Sequence, residues 1–230
     1  MSDLPNLRSP WRNRAMARFS IIKWKWATKS MMVIKRMIDI VVVLVALLCL
    51  LPLFICVAVA INAYDRGPVL FWQLRVGRYG TLFNFPKFRS MRVDAEVVRA
   101  KLLAENQHGS DGVTFKMKND PRITPIGRFI RRFSIDELPQ LWCVLVGDMS
   151  LVGPRPSITS EVSKYTIRDR SRLEVTPGLT SIWAVSGRSE IPFKQQVEMD
   201  IEYIQTQSVK NDVKLLAKTI PAVVKGKGAY

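Results

Sequence analysis

The chain has a single histidine, His108. That excludes a zinc site of the H-E-x-x-H kind, and any Ser-His-Asp or Cys-His relay that needs a second histidine. It has three cysteines, Cys49, Cys56 and Cys143, with no C-x-x-C spacing. Neither a zinc site nor a disulfide framework is indicated, and reduced, buried thiols are expected. Neither G-x-G-x-x-G nor G-x-x-x-x-G-K-[ST] occurs, so no Rossmann or P-loop nucleotide site is signalled. There is no internal repeat. Acids are scarce: 19 Asp+Glu stand against 35 Lys+Arg, for a net charge of +16. That excess implies an anionic partner: nucleic acid, an anionic membrane surface or a phosphorylated substrate. If the chain is an enzyme, carboxylates must do the acid, base or nucleophilic work.

What is present centres on Ser134 to Pro156, SIDELPQLWCVLVGDMSLVGPRP. Leu138, Leu141, Trp142 and Leu145 recur at helical spacing and form one apolar face. Pro139 lacks an N–H and belongs in a first helical turn, which places the N-cap at Ile135 or Asp136. Ser134 and Glu137 have capping-box spacing, but that register carries Pro139 a turn too deep. With Asp136 at the cap, Asp136 and Glu137 sit at the positive end of the helix dipole, which favours their ionised forms. The plain alternative is that Asp136 only caps a helix. Arg128, Arg131 and Arg132 upstream and Arg155 downstream argue for phosphate chemistry instead.

Residues 1–33 are basic, with Trp11, Trp24 and Trp26 interleaved, and are read as irregular. Basic residues with tryptophan suit a membrane headgroup region; a solvated tail or a nucleic-acid arm is the alternative. Nothing here resembles a cleavable signal peptide. Ile40 to Tyr64 carries no formal charge. As a helix it is roughly 37 Å long, enough to cross a bilayer. Pro52 at its middle favours a kink. Basic residues flank both ends, and the positive-inside rule is met for both flanks if the helix enters, bends and leaves by one face. A re-entrant helix is therefore preferred over a span. Asp39 at its mouth has Lys35 and Arg36 within helical reach, a structural pairing.

Val69 to Met91 reads as strand, Gly77–Gly80 turn and strand, ending in the cations Lys87, Arg89 and Arg92. A helix is expected over Asp94–Ala104, a mobile loop around His108, a turn over Lys116–Pro121 and a short helix over Thr124–Phe133. Thr176 to Arg188 is turn-rich. Phe193–Ile204 is helical by its apolar spacing. After Asn211 a further helix has an apolar face, which either lies in a membrane interface or packs on the domain.

KRMID (Lys35–Asp39), KFRSM (Lys87–Met91), SIDELPQLW (Ser134–Trp142), GDMSLVGPRP (Gly147–Pro156), TPGLTSIWAVSGR (Thr176–Arg188) and the terminal Gly228-Ala229-Tyr230 resemble the bacterial sugar transferase family. These are the monotopic phosphoglycosyl transferases of polyprenyl phosphate. The resemblance covers about Ile34 to Tyr230, with the motifs in order. It implies transfer of a sugar 1-phosphate from a nucleoside diphosphate sugar to undecaprenyl phosphate, as in exopolysaccharide assembly, with release of the nucleoside monophosphate. It implies a Mg²⁺ cofactor, Asp136 as nucleophile in a covalent phosphosugar intermediate and as metal ligand, and Glu137 as its partner. Lys87, Arg89, Arg131, Arg155 and Arg188 are the substrate-binding candidates, solvated or lipid-facing cations being the alternative. The re-entrant helix bends at Pro52. Leu51, Cys143, Ser181 and Ala184 depart from common family residues, and the last two bear on substrate details. The chain also lacks the extra N-terminal membrane bundle of larger members and so resembles the small form.

The expected protein is a helix-dominated, membrane-embedded α/β enzyme. It has a basic extension (1–33), a re-entrant membrane helix (34–64) and a catalytic domain (65–230) with interfacial amphipathic helices. It is placed at the cytoplasmic face of the bacterial inner membrane, in contact with anionic lipid. No nucleic acid is expected as partner, and a homo-oligomer is allowed. The alternatives are a basic, membrane-anchored binding protein without catalysis, and a nucleotide-sugar hydrolase. Sugar, nucleotide and the polysaccharide served are not legible.

Overall fold

The computed structural model describes residues 10–95 and 120–225, with side chains from 30 onward except 189 and 225. The expected features around His108, most of the Asp94–Ala104 helix, and the terminal Gly228-Ala229-Tyr230 lie outside the described residues. Two compact units divide between Ile38 and Asp39. The described part of the first is helical from Pro10, not irregular, and belongs to helix α1 (Pro10–Tyr64).

Among its described residues the second unit is helix-dominated, with two small strand pairs rather than a layered sheet. Strands β1 (Leu70–Val76) and β2 (Leu82–Phe88) form an antiparallel hairpin, with Leu70 opposite Phe88 and Val76 opposite Leu82. The turn between them takes left-handed backbone at Tyr79 and Gly80, the conformation such tight connections demand. Period-two alternation puts Phe71, Gln73, Arg75, Phe83, Phe85 and Lys87 on one face. Helix α2 (Pro125–Arg132) starts as its sequence dictates: Thr124 Oγ1 accepts from Gly127 N at 2.9 Å and Pro125 occupies the first turn.

Then comes the central stretch. Ser134 takes a left-handed backbone (φ 54°), Ile135–Gln140 is a 3-10 turn, and helix α3 (Leu141–Val146) continues it. The N-cap is therefore Ser134, two residues ahead of the preferred register with Asp136 at the cap. The apolar face also differs. Leu141, Cys143 and Val144 are buried while Trp142 is exposed, because a three-residue turn feeding a 3.6-residue helix breaks the spacing counted from Leu138.

Strand β3 (Ser150–Val152) pairs in parallel with β4 (Gly178–Thr180). Between them lie helices α4 (Thr159–Val162) and α5 (Ile167–Arg170). After β4 come α6 (Ile182–Ser186), α7 (Phe193–Thr206) and α8 (Val209–Lys225). Asp212 and Leu215 of α8 are buried, so this helix packs on the domain; Val213, Ile220 and Val224 stay exposed.

The core has two clusters, and α1 contributes to both. Val43, Ala46, Leu47 and Leu50 join Phe83, Phe85, Leu141 and Val144. Leu53, Phe54, Val57 and Ile61 join Phe88 and Ile130. The Phe54 and Phe88 rings meet edge to face, 5.5 Å between centroids. Burial of a side chain such as Phe85 stabilises the fold by about 2–3 kcal/mol. Asp39 is buried and accepts from Ser150 Oγ at 2.7 Å and Leu151 N at 3.3 Å, tying the start of the apolar helix to β3. The opposite face of α1 is exposed along Val41, Leu44, Val45, Leu48, Leu51, Ile55 and Val59. Cys49 and Cys56 also lie exposed, contrary to the expected buried thiols, while Cys143 is buried. Ser30–Tyr64 is long and apolar enough to cross a membrane. Pro52 lies inside α1, which continues through it.

Candidate active site

The 3-10 turn packs against β2 and presents Glu137 to Lys87 on the hairpin. Lys87 Nζ lies 2.9 Å from Glu137 Oε1. Arg155, from the Gly153-Pro154-Arg155-Pro156 loop after β3, donates from Nη1 to Glu137 Oε2 at 3.0 Å and from Nη2 to Oε1. A carboxylate held by a bidentate guanidinium and an ammonium stays ionised. Glu137 is accordingly held well below the usual carboxylate range, Arg155 and Lys87 overcoming the opposing effect of burial. Burial lowers the Lys87 pKa, with Glu137 opposing it.

Asp136 is different. It is 6% exposed, and among the described residues no hydrogen bond or ion pair reaches its carboxyl. Burial first, and the Glu137 charge second, push it up to about 6 against the pull of Lys87, Arg131 and Arg155. The expected dipole stabilisation does not prevail, because a six-residue 3-10 turn has little macrodipole and the side chain is out of water. The two adjacent carboxyls are thus pushed apart, Glu137 well below the usual carboxylate range and Asp136 up to about 6.

The arginines sort by partner. Arg131 acts on Asp136 and on Asp120. Asp120 is itself gripped by Arg122, Nη2 to Oδ2 at 2.6 Å. Arg128 and Arg132 are exposed. Arg188 shares the electrostatic neighbourhood of Glu137 and Arg155. Arg89 is not brought to the pair. It lies one residue past β2, buried, and its Nη2 donates to the Asp65 backbone carbonyl just beyond α1. There it closes the helix C-terminus, a common place for a cation.

Sequence reasoning missed Arg75. The side chain is half-buried and its pKa is lowered to about 10, chiefly by loss of water and then by Arg155. It donates to Pro156 O at 2.9 Å and to Gln73 Oε1 at 2.7 Å, and lies 5.0 Å from the Phe85 ring centroid. It thereby pins the loop that carries Arg155. The signal was available: strand alternation puts Arg75 and Lys87 on one face of the hairpin. Also missed was a buried chain behind the same loop. Arg172 pairs with Asp200 at 2.7 Å and donates to Tyr165 Oη at 3.1 Å, and Tyr165 Oη donates to Ser157 Oγ at 2.5 Å.

Among the described residues no group of three or more His, Cys, Asp or Glu side chains converges. A cation caged wholly by protein does not fit. One free carboxylate, Asp136, fits a Mg²⁺ that takes its remaining ligands from substrate phosphate and water.

The sequence profile described as "Bacterial sugar transferase" matches residues 30–226. The chain is 45% identical over 219 residues to "Galactosyl transferase CpsE" of Streptococcus agalactiae, covering 92% of this chain and 47% of that protein. It is 42% identical over 206 residues to "Undecaprenyl-phosphate galactose phosphotransferase" of Salmonella typhimurium, covering 89% and 43%. A third relative, "UDP-glucose:undecaprenyl-phosphate glucose-1-phosphate transferase" of Caulobacter vibrioides, is 36% identical over 204 residues, covering 85% and 72%. The chain spans slightly less than half the length of the first two. A profile that matches residues 30–226, well over half of the chain, establishes that the chain belongs to the bacterial sugar transferase family.

Proposed function

We propose that this chain is a phosphoglycosyl transferase that moves a sugar 1-phosphate from a nucleoside diphosphate sugar to undecaprenyl phosphate, an early membrane step of exopolysaccharide assembly. The observation that carries the reading is the division of labour within one carboxylate pair. Glu137 is spent on Lys87 and Arg155. Among the described residues Asp136 is left without a partner, and its pKa near 6 allows the ionised form at neutral pH.

An Asp136 oxygen attacks the phosphorus that bears the sugar, and a P–O bond forms. The bond from that phosphorus to the bridging oxygen breaks, and its electron pair leaves on the nucleoside monophosphate. A phosphate oxygen of undecaprenyl phosphate then attacks the phosphosugar phosphorus, and the electron pair returns to the Asp136 carboxylate. Lys87, Arg131 and Arg155, whose charges act on Asp136, would offset the charge of the transferred group. Asp136, with substrate phosphate oxygens, would hold Mg²⁺, which when bound supplies positive charge to the diphosphate.

The acceptor is a lipid, and α1 suits a lipid-side enzyme. Asp39 at one end of its apolar segment bonds to β3, and Arg89 binds Asp65 just past the other end. Both halves of the segment contribute to the core clusters of the same domain. These contacts support a re-entrant helix that enters and leaves one bilayer face, here the cytoplasmic face of the inner membrane.

The test is release of nucleoside monophosphate by the purified chain in detergent with Mg²⁺, undecaprenyl phosphate and a panel of nucleotide sugars. Release that depends on the lipid, and that falls at least about 10⁴-fold in Asp136→Asn, is expected. Release without lipid would make it a hydrolase instead.

A further inference from the structure

The loop that aims Arg155 is held on both sides of that residue. Before it, Gly153 N donates to Thr180 O at 3.0 Å, and Pro154 O accepts from Gly178 N at 2.8 Å. After it, Pro156 O accepts from Arg75 Nη1 at 2.9 Å, and Ser157 O accepts from Val76 N at 2.9 Å. Pro156 also restricts the backbone of Arg155 to extended conformations. A further bond reaches the loop through a side chain: Tyr165 Oη donates to Ser157 Oγ at 2.5 Å.

The direction of that bond is fixed by chemistry. Arg172 Nη1 lies 3.1 Å from Tyr165 Oη. A guanidinium offers no acceptor, so it can only donate. The Tyr165 oxygen therefore accepts from Arg172, and its one proton is left for Ser157. Arg172 is fixed in turn by Asp200, Nη2 to Oδ2 at 2.7 Å. Its guanidinium carbon also lies 5.9 Å from the Tyr165 ring centroid and 5.6 Å from that of Phe193. Ser157, Tyr165, Arg172 and Asp200 are all buried. The chain of contacts thus runs from α7, through the 3-10 turn Ser171–Glu174, to the loop.

Packing alone does not call for these residues. A buried ion pair is often matched in stability by apolar residues of similar volume, and such a cluster would hold α7 against the turn as well. What an apolar cluster lacks is direction. This chain defines where one hydroxyl points, and it ends two residues from Arg155.

On the transferase reading above, we propose that Tyr165 is a positioning residue: its hydroxyl, aimed by the Arg172–Asp200 pair, fixes Ser157 and so sets the closure of Arg155 on Glu137. It acts through Arg155 and not on substrate.

The experiment uses the purified full chain in detergent, with release of nucleoside monophosphate as the readout and thermal melts as the check on folding. Tyr165→Phe removes one oxygen and keeps the ring. Ser157→Ala breaks the same bond from its other end and leaves the contacts of Arg172 intact. Each should lower kcat/KM by about three- to tenfold, the range of one neutral hydrogen bond. The loss should lie in kcat, with KM within about twofold, because the displaced group acts in the transition state. The deciding arm is Arg155→Lys. With the fork already gone, Tyr165→Phe should cost less than about twofold more. Wild-type kcat/KM in both single variants overturns the assignment. So does the full loss recurring in the Arg155→Lys background, since a residue that serves folding alone multiplies its loss. If wild type releases no monophosphate from any nucleotide sugar, the transferase reading fails, and the same cycle read in melting temperature decides the assignment. A Tyr165→Phe shift that shrinks in Arg155→Lys keeps it, and an unchanged shift overturns it.

Discussion

Arg155 closes on Glu137 through both terminal nitrogens, Nη1 standing 3.0 Å from Oε2. The pair is partly buried, with side chains 29% and 21% exposed. The planar fork matches the carboxylate, and a lysine cannot reproduce it. Arg155→Lys should keep the fold but lower kcat/KM by about tenfold or more, since one charge-assisted bond at a partly buried site is lost. Lys87→Met should act in the same direction through the same carboxylate. If either variant has wild-type kcat/KM, Glu137 is not the group these cations serve.

The pH dependence follows from Asp136. Its pKa is raised to about 6, and only the ionised form can attack phosphorus. Activity should therefore fall as pH drops through about 6. The sign for stability is opposite. The folded state holds this proton more tightly than the unfolded chain, so the contribution of Asp136 is fully present below the ordinary carboxylate pKa and is lost as pH rises through about 6. Glu137→Gln removes a like charge and frees Lys87 and Arg155 to favour ionised Asp136. Its acid limb should shift to lower pH, whatever happens to its maximal rate. A kcat/KM profile of both proteins reads this, and a limb that moves upward contradicts the assignment.

The parts legible in the sequence were those with local chemistry. The hairpin follows from alternation across Phe71, Gln73, Arg75 and Phe83, Phe85, Lys87 around a glycine turn. Helix α2 follows from Thr124 and Pro125. The Asp136-Glu137 pair was found, but its inequality was not. A residue at an N-cap reads as solvent-facing, and burial of Asp136 depends on the hairpin folding over it. Arg89 looked equivalent to Lys87 by period two, and that equivalence ends where β2 ends at Phe88. Arg172 and Asp200 are far apart in sequence with no periodic signal, so only tertiary packing joins them.

The membrane arrangement has a geometric test. With the native cysteines replaced, one cysteine is introduced before Lys35 and one after Arg66, and intact cells are treated with a membrane-impermeant thiol reagent. A re-entrant helix leaves both protected from outside and both reactive after the cytoplasmic face is opened. Labelling of the two from opposite sides would establish a span and remove the re-entrant model.

The loop that carries Arg155 depends on two glycines in contact. A Cβ on Gly178 would lie 2.0 Å from Gly153 N and 2.6 Å from Gly153 Cα, both backbone atoms of a hydrogen-bonded pairing. Backbone cannot step aside as a side-chain tip can. Gly178→Ala should cost at least about 1–3 kcal/mol in stability, as overpacking does, and displace Arg155 from Glu137. Gly80→Ala is the contrast, since nothing lies within 4 Å of its Cβ and only its backbone at φ +82° is strained. Activity per folded molecule should drop in the first variant and hold in the second. Equal behaviour in both would mean that the loop contact does not set the site.

Behind that loop, the Arg172–Asp200 pair is almost fully buried, at 4% and 1% side-chain exposure. Burial raises Asp200 to about 6, with Arg172 pulling it down. Removing Arg172 leaves a buried carboxylate with nothing to neutralise it. Arg172→Met should therefore destabilise the protein by about 3–5 kcal/mol at neutral pH. The loss should shrink on acidification, because without Arg172 the Asp200 pKa rises further and the carboxyl is readily protonated. Adding Asp200→Asn removes the charge and should restore much of the stability. The double variant also separates two roles for Arg172. Tyr165 loses its Arg172 donor in either background, so the Tyr165–Ser157 bond is held from one side only. If stability returns and activity does not, the buried chain positions the Arg155 loop. If both return together, the pair serves folding alone.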